Sequence, residues 1–403
     1  MKMQTYKIKE ICEIKSGKRL PAGSDFSFDK TNYPYIRSRD IKKGKIRTDA
    51  LVYIDKEVHE KIKRYIIECG DIAITIVANV GDVGYCEKEL NGFNLTENAV
   101  RLTKFQNEIN TKYLTYYLSQ PFSKMYMESL AAGAAQAKLG IYKIENIKVN
   151  IPEKTIQDRI VKVINCYDVL IENNNKRIKL LETMAEELYK EWFVRCRFKN
   201  VKKDPKHKII PKGWVYGNNI NGLSAPKSWE YKKLDSVGEF VRGKNITSDE
   251  MHDGNIEVIS AGLEPSGFHN EYNVAGQSLT VSASGANAGY LSYHLDNIWA
   301  ADCSYYSGEH IWFIYHSLHF IKSVIDNLQV GSAQPHVYAK NINKLFIIVP
   351  DCNVIQEFEN KVKSIYCEIK VLQDKNKVLI KQRDYLLPRL MSGKLSVENK
   401  NII

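Results

Sequence analysis

From residue 160 to residue 192 the positions facing one side of a helix step by 4, 3, 4, 3 without a break. They are Ile160, Ile164, Tyr167, Ile171, Asn174, Ile178, Leu181, Ala185, Leu188 and Trp192. Adding 198 to each number gives Phe358, Val362, Ile365, Ile369, Leu372, Asn376, Leu379, Arg383, Leu386 and Leu390, the same stripe with one polar misfit more. More than four heptads in each stretch predict two long helices with a coiled-coil seam rather than ordinary amphipathic helices. At about 36 residues each, they measure roughly 54 Å at the α-helical rise. A lone helix of this kind exposes its stripe, so the two most simply pack on each other. Asn174 and Asn376 each put an amide into the seam. Either they fix its register at some cost in stability, or they face solvent where the seam frays.

Ahead of each helix lie short β-branched or aromatic runs, residues 72–77 and 279–282 among them, mixed with short helical segments. This predicts α+β domains. The chain also repeats itself, a feature that organises everything else. GAAQAKLGIYKIENIKVNIP (133–152) aligns with GSAQPHVYAKNINKLFIIVP (331–350) at offset 198. Ile8, Ile11, Glu13, Ile14, Gly17 and Lys18 align with Leu234, Val237, Glu239, Phe240, Gly243 and Lys244 at offset 226, and Gly84-Tyr85 with Gly289-Tyr290 at offset 205. The falling offset makes the second copy shorter in its middle.

Pro152 and Pro350 close strand-like runs, with Thr155 and Asn353 as the expected helix N-caps. Pro388 is expected to perturb the last turn of the second helix and Gly393 to stop it. The expected order is a first α+β domain (1–152), a long helix (153–198), a linker rich in Lys, Pro, Gly and Asn (199–228), a second α+β domain (229–350), and a second long helix with a tail (351–403).

The 403 residues are 44% hydrophobic and 26% charged with 11 prolines, a globular composition large enough for two or three cores. No run of about 18 apolar residues exists, nor an apolar signal core after Met1-Lys2-Met3, so a cytoplasmic protein without a membrane role is expected. Eight cysteines without a C-x-x-C pair read as thiols rather than a metal site. The formal charge of +11 is unevenly spread. Residues 1–150 hold 25 basic and 18 acidic groups, 201–228 hold 6 and 1, and 229–350 hold 7 and 13. The surplus is therefore not a uniform footprint for a polyanionic partner, and it argues that the chain works with obligate partners.

Catalytic motifs are missing or false. Gly17-Lys18 and Gly243-Lys244 lack the rest of a P-loop. Asn32-Tyr33-Pro34-Tyr35 imitates a methyltransferase motif without a cofactor loop before it. Pro350-Asp351 with Glu359-Asn360-Lys361 imitates a nuclease metal site, but the helical phase puts Glu359 and Lys361 on a solvated face. His316 and His319 lack a third metal ligand, and are expected to be a surface or partly buried pair.

LLETMAEELYKEWFVRCRF (180–198), PKGW (211–214), LLPRLMSGKL (386–395), YIRSRDIKKGKI (35–46) and the twin Gln-containing segments resemble the specificity subunit of type I restriction-modification systems. The resemblance covers essentially the whole chain. It implies a non-catalytic subunit with two target recognition domains, each reading one half of a split, asymmetric site in double-stranded DNA. The long helices set the spacing and dock two methyltransferase (modification) subunits, which restriction subunits join. No cofactor is implied in this subunit; S-adenosylmethionine, ATP and magnesium belong to the partners. An antiparallel helix pair between tandem copies gives a pseudo-twofold axis, which suits half-sites about one helical turn apart. Rival readings are the recognition subunit of a methyltransferase-only or type IIB-like system, a coiled-coil scaffold or adhesion protein with tandem domains, and a self-contained enzyme.

Base reading favours Arg, Lys, Asn and Gln, while phosphates take any cation or N–H. The candidates in copy one are Lys18, Arg19, Arg37, Ser38, Arg39, Lys42 and Lys43. Arg242, Lys244 and Asn245 parallel them in copy two. Asn79 lies in a loop matched by that of Ser284 and Asn287, where backbone N–H groups can approach phosphate or simply form a tight turn. The resemblance makes a DNA-facing loop of Gln136 with Lys138 and of Gln334 with His336, against buried glutamines satisfying backbone groups. Trp192, Phe193, Leu386, Leu387 and Leu390 are core residues or, by the resemblance, a docking face for the methyltransferase.

Overall fold

The computed structural model describes residues 2–132, 138–198, 202–209, 223–329 and 335–397. Its contacts divide the chain into unit one, Met1–Glu172 with Lys377–Ile403, and unit two, Asn173–Asn376, so each unit takes a share of both long helices.

Unit one contains, in chain order, β1 (Met3–Lys7), α1 (Ile8–Ile11), β2 (Glu13–Ser16), β3 (Pro34–Ile36), β4 (Ile41–Lys42), β5 (Gly44–Ile46), β6 (Val52–Tyr53), α2 (Lys56–Ile62), β7 (Ile72–Thr75), β8 (Val83–Tyr85), β9 (Asn94–Leu95), β10 (Ala99–Thr103), α3 (Thr111–Leu118), α4 (Pro121–Ala131), α5 (Ile141–Glu145), β11 (Lys148–Pro152) and the start of α6 (Lys154–Tyr189). One sheet has the order β2-β10-β7-β8-β5-β4 and a second β6-β3-β9, while β1 pairs antiparallel with β11. The inner strands β7 and β10 are buried along their whole length. The one charge within them, Arg101, is held by Asp71 at 2.7 Å.

Unit two adds β12 (Lys208–Ile209), β13 (Leu223–Ser224), β14 (Glu230–Lys233), β15 (Val241–Arg242), β16 (Ile256–Ile259), β17 (Gly267–His269), β18 (Ser278–Ser282), β19 (Leu291–His294), β20 (Ile298–Ala300), β21 (Cys303–Tyr306), α7 (Ile311–Phe320), α8 (Lys322–Asp326), α9 (Ala339–Ile342), β22 (Phe346–Val349) and most of α10 (Cys352–Met391). Its connections repeat those of unit one. β14 pairs with β22 as β1 with β11, β15-β21-β18-β19 repeats β2-β10-β7-β8, and β17-β16-β20 repeats β6-β3-β9. Even strand directions agree, since β16–β20 and β3–β9 are both parallel. The hairpin β4–β5 and helix α2 have no counterpart among the described residues of unit two, which is shorter there.

Glycine fixes one shared feature. A Cβ on Gly17 would lie 2.0 Å from the Thr96 carbonyl oxygen, and one on Gly243 2.4 Å from that of Ala301. The backbone passes too close for any side chain.

Within unit two, α6 and α10 run antiparallel. Asn174 Nδ2 donates to Asn376 Oδ1 at 2.8 Å, Arg177 meets Glu368 at 2.8 Å, and Tyr189 and Trp192 face Phe358. Within unit one, Arg383 meets Asp168 at 2.7 Å, and Ile160 and Ile164 share a core with Leu390. Every seam position is buried or half-buried. The two asparagines therefore satisfy each other instead of facing water, and the misfit Arg383 has a carboxylate waiting for it.

Three local expectations need correction. The long helices begin at Lys154 and Cys352, so Thr155 and Asn353 lie inside the first turn rather than capping it. α10 runs through Pro388 to Met391 before Gly393 ends it with φ 73°. Glu359 does not lie on a solvated face: its Oε1 accepts the Phe313 N–H at 2.7 Å, at the start of α7.

Candidate nucleic-acid interface

Strand register brings the candidate residues of unit one to one end of its main sheet. Ser16 of β2 pairs with Val100, Thr75 of β7 with Ala99, Val83 of β8 with Ile74, and Gly44 of β5 with Gly84. The loops after β2 and β7, the turn before β5 and the segment before β10 therefore emerge together, beside Gly17. Two further segments join them: the Thr96 N–H donates to the Ile36 carbonyl at 3.0 Å, and the Leu139 N–H to that of Ile76 at 2.9 Å. Lys18, Arg19, Arg37, Lys43, Asn79 and Lys138 all lie on this glycine end.

Their side chains differ in freedom. Lys18, Arg39, Lys43, Asn79 and Lys138 are exposed, while Ser38 and Lys42 are half-buried. Lys43 and Gly44 form a two-residue turn with φ of 52° and 80°, the mirror-image hairpin geometry that suits β-strand twist. Tyr35 Oη donates to the Lys18 carbonyl at 2.8 Å, and burial pushes its pKa up to about 12, so it remains a donor. Arg19 is 80% exposed and its Nε donates to Glu97 Oε1 at 2.8 Å. Burial raises the Glu97 pKa, but Arg19, a backbone N–H and Thr96 together outweigh it and hold the carboxyl below its ordinary range. Arg37 is a different case. Its Nε and Nη2 bond Asp40 at 3.0 Å each, Nη2 also reaches the Ala50 carbonyl, and the side chain is only 15% exposed.

Unit two builds the same end with other residues. Arg242 pairs with Ser304, Ser282 with Cys303, and Val281 with Leu291. Ser284 bridges to His336, the counterpart of the Val77–Lys138 bridge in unit one. Arg242 Nη2 donates to Asp302 Oδ1 at 2.5 Å, and Ser284 Oγ donates to the other oxygen of the same carboxylate. Lys244 lies 5.8 Å from the Trp299 ring centroid, and Asn245 is exposed. Asn287 is half-buried with its carbonyl accepting the Tyr290 N–H, and His336 stacks on Tyr338. Gln136, Gln334 and the PKGW segment lie outside the described residues.

The expected docking residues are mostly spent inside the chain. Trp192 (7% exposed) and Phe193 (0%) pack with Trp229, Phe313 and Phe358 in the core of unit two, and Leu390 (2%) lies in that of unit one. Their burial favours the core reading, since an aromatic cluster of this kind consumes its own apolar surface. Leu386 and Leu387 are half-buried against the same unit-one core. Likewise His316 is buried rather than exposed or partly buried, with Nε2 3.1 Å from Tyr366 Oη and its pKa pushed down to about 3 by burial. Among the described residues no group of three His, Cys, Asp or Glu side chains could hold a metal ion, and no helix is long and apolar enough to cross a membrane.

Glu97, Asp302 and Asp40 escaped the sequence reading. They are acids among basic candidates, reached across 60 or 78 residues of chain in the Asp302 and Glu97 pairs, and no period marks them.

Residues 1–183 and 226–358 match the model of the type I restriction modification DNA specificity domain. The chain is 26% identical to the type I restriction enzyme MjaIX specificity subunit of Methanocaldococcus jannaschii, over 97% of this chain and 93% of that protein. It is 22% identical to the HindI specificity subunit of Haemophilus influenzae, over 91% and 96%. In fold it resembles the crystal structure of a type I restriction-modification system S subunit from M. genitalium, with TM-score 0.55 and 15% identity over 97% of this chain and 96% of that one.

Proposed function

We propose, from the premise that this chain belongs to the type I restriction modification DNA specificity family, that each copy of its repeat reads one half of a split, asymmetric DNA site. The observation that carries this reading is the glycine end. Two units of one topology gather Arg, Lys, Asn, Ser and His side chains at the same sheet end, and matched positions there carry unlike residues, Arg19 against Asn245 and Lys138 against His336. A common scaffold with unlike donors is what two unlike half-sites require, because bidentate donors specify bases while phosphate contacts only fix position.

In this reading α6 and α10 set the distance between half-sites and carry two methyltransferase subunits, which restriction subunits join. Catalysis belongs to those partners, together with the S-adenosylmethionine, ATP and magnesium it consumes, and the complex works in the cytoplasm. The named relatives support this, being specificity subunits over nearly their full length.

The experiment is a map of modified bases in the host genome with and without the gene. A split, asymmetric motif that disappears with the gene is the expected result. An unchanged map, or the loss of a contiguous palindrome, would overturn the proposal.

A further inference from the structure

We propose that Arg19 and Arg242 are the guanine-reading side chains of the two copies, and that Glu97 and Asp302 are the positioning residues that aim them. The inference rests on the DNA-reading function above and adds to it the base class and the residues.

Guanine presents O6 and N7 as two adjacent acceptors in the major groove, and a guanidinium edge matches both. Such an edge must be free and held still. Arg19 meets both conditions: its Nε is fixed on Glu97, while Nη1 and Nη2 have no partner among the described residues. Glu97 is itself held, since Thr96 Oγ1 donates to its other oxygen at 3.0 Å. In unit two Arg242 is 46% exposed and bonds Asp302 through one hydrogen of Nη2, so the second Nη2 hydrogen still completes one two-donor edge, with Nε or with Nη1. Asp302 is held in turn by Ser284. In each copy a hydroxyl holds a carboxylate and the carboxylate holds an exposed arginine.

Two observations separate this arrangement from an ordinary surface ion pair. The first is Arg37, which also pairs with a carboxylate at this end but spends Nε and Nη2 on Asp40 and Ala50 and is largely buried; that is how a structural arginine looks here. The second is position. Scaffold features recur at aligned residues, as Gly17 and Gly243 do, each donating its N–H to the matched carbonyls of Ala99 and Cys303. The carboxylates also recur, Glu97 following Thr96 as Asp302 follows the matched Ala301. The arginines do not: Arg242 matches Ser16 and Arg19 matches Asn245, one just before the shared glycine and the other two residues after it. The same device has been built twice, at the same sheet end, with the arginine taken from different positions. An exposed ion pair adds little to stability, so folding alone gives no reason for the coincidence.

The test uses the chain assembled with its methyltransferase subunits, and duplexes carrying the motif mapped above. Each guanine in turn is replaced by 7-deazaguanine, which removes the N7 acceptor and little else. With the unaltered chain, one such replacement in each half should weaken binding about tenfold. In Arg19→Ala the replacement in one half should have no further effect while the other half stays sensitive, and Arg242→Ala should show the mirror image. Arg19→Gln and Arg242→Gln keep a polar side chain of similar reach without a guanine-matched pair of donors and should bind while losing that sensitivity, which covers the case of an alanine variant too weak to measure. Glu97→Gln and Asp302→Asn should reduce the sensitivity of their own half only. Full N7 sensitivity in both arginine variants, or a half-site without guanine, overturns this inference and leaves the proposed function standing. Absence of any split motif overturns the function itself.

Discussion

Arg37 and Arg39 are two residues apart in one basic segment, yet the structure gives them opposite work. Arg37→Ala would strand Asp40, whose side chain is 6% exposed, and should destabilise unit one by about 3 kcal/mol. Hydrogen exchange of the β3 amides would report that loss. Arg39→Ala removes an exposed side chain, so it should leave stability within about 0.5 kcal/mol and weaken DNA binding. The sequence shows both arginines equally well; it does not show that the chain turns back at Asp40 to claim one of them. The same limit applies to Glu359. Helical phase says which side of α10 it occupies, but only the tertiary fold brings the start of α7 against that side. Burial there raises its carboxyl pKa from 4.5 to about 7, with Phe313 and Trp312 N–H groups opposing the shift. The native state then binds more protons than the unfolded one between those values, so this group's contribution is fully present below pH 4.5 and is lost as pH rises to 7. Glu359→Gln keeps a carbonyl for the Phe313 N–H and should gain about 2 kcal/mol over the parent at pH 8 and nothing at pH 4. His316 titrates in the opposite sense below pH 6.5, so the difference between the two proteins is the quantity to follow. Denaturation followed by tryptophan fluorescence isolates unit two, because all five tryptophans lie between residues 173 and 376.

At the scale of elements, a strict heptad was the most legible feature, since a seam buried along its whole length tolerates few exceptions. The exceptions it does carry are paired: Asn174 with Asn376, and Arg383 with Asp168. Asn376→Leu leaves the buried Asn174 amide unbonded, at a cost of about 2 kcal/mol, whereas Asn174→Leu should cost less because Asn376 Nδ2 still donates to Asn175 Oδ1 at 2.8 Å. Replacing both should recover most of that loss, and a double-mutant cycle in urea would measure the coupling. Independent costs that simply add would mean that the amides do not support each other. The short strands were harder to place, because runs of three or four residues carry little periodicity and take their stability from neighbours. Gly17 and Gly243 show what the repeat could still reveal. Their alignment marks a shared constraint, and the structure identifies it as backbone passing against the carbonyls of Thr96 and Ala301. Gly17→Ala and Gly243→Ala should each cost about 3 kcal/mol, seen as a lower melting temperature, with the loss confined to the unit that carries the change.

Across the whole molecule, the charge of +11 is less informative than its distribution. Residues 229–350 carry 7 basic and 13 acidic groups, and the glycine end of unit two spends Arg242 on Asp302. Unit one exposes Arg39 between β3 and β4, and Lys43 and Lys138 at its glycine end, with no acidic partner among the described residues. If both ends face DNA, they contribute unequally to the electrostatic part of binding. Each phosphate contact lowers the slope of log K against log salt by about 0.9. Changing Arg39 and Lys138 to glutamine and Lys43 to asparagine, which tolerates the positive φ of that turn, should therefore flatten the slope by about 2 to 3. Changing Lys244 to glutamine in unit two should flatten it by about 1 at most. The measurement is binding of the assembled complex to one cognate duplex across a series of salt concentrations. No change from either unit would mean that partner subunits supply the phosphate contacts of both half-sites. A change confined to unit one would make the first half-site the electrostatic anchor, and leave the second to be recognised mainly through directed hydrogen bonds.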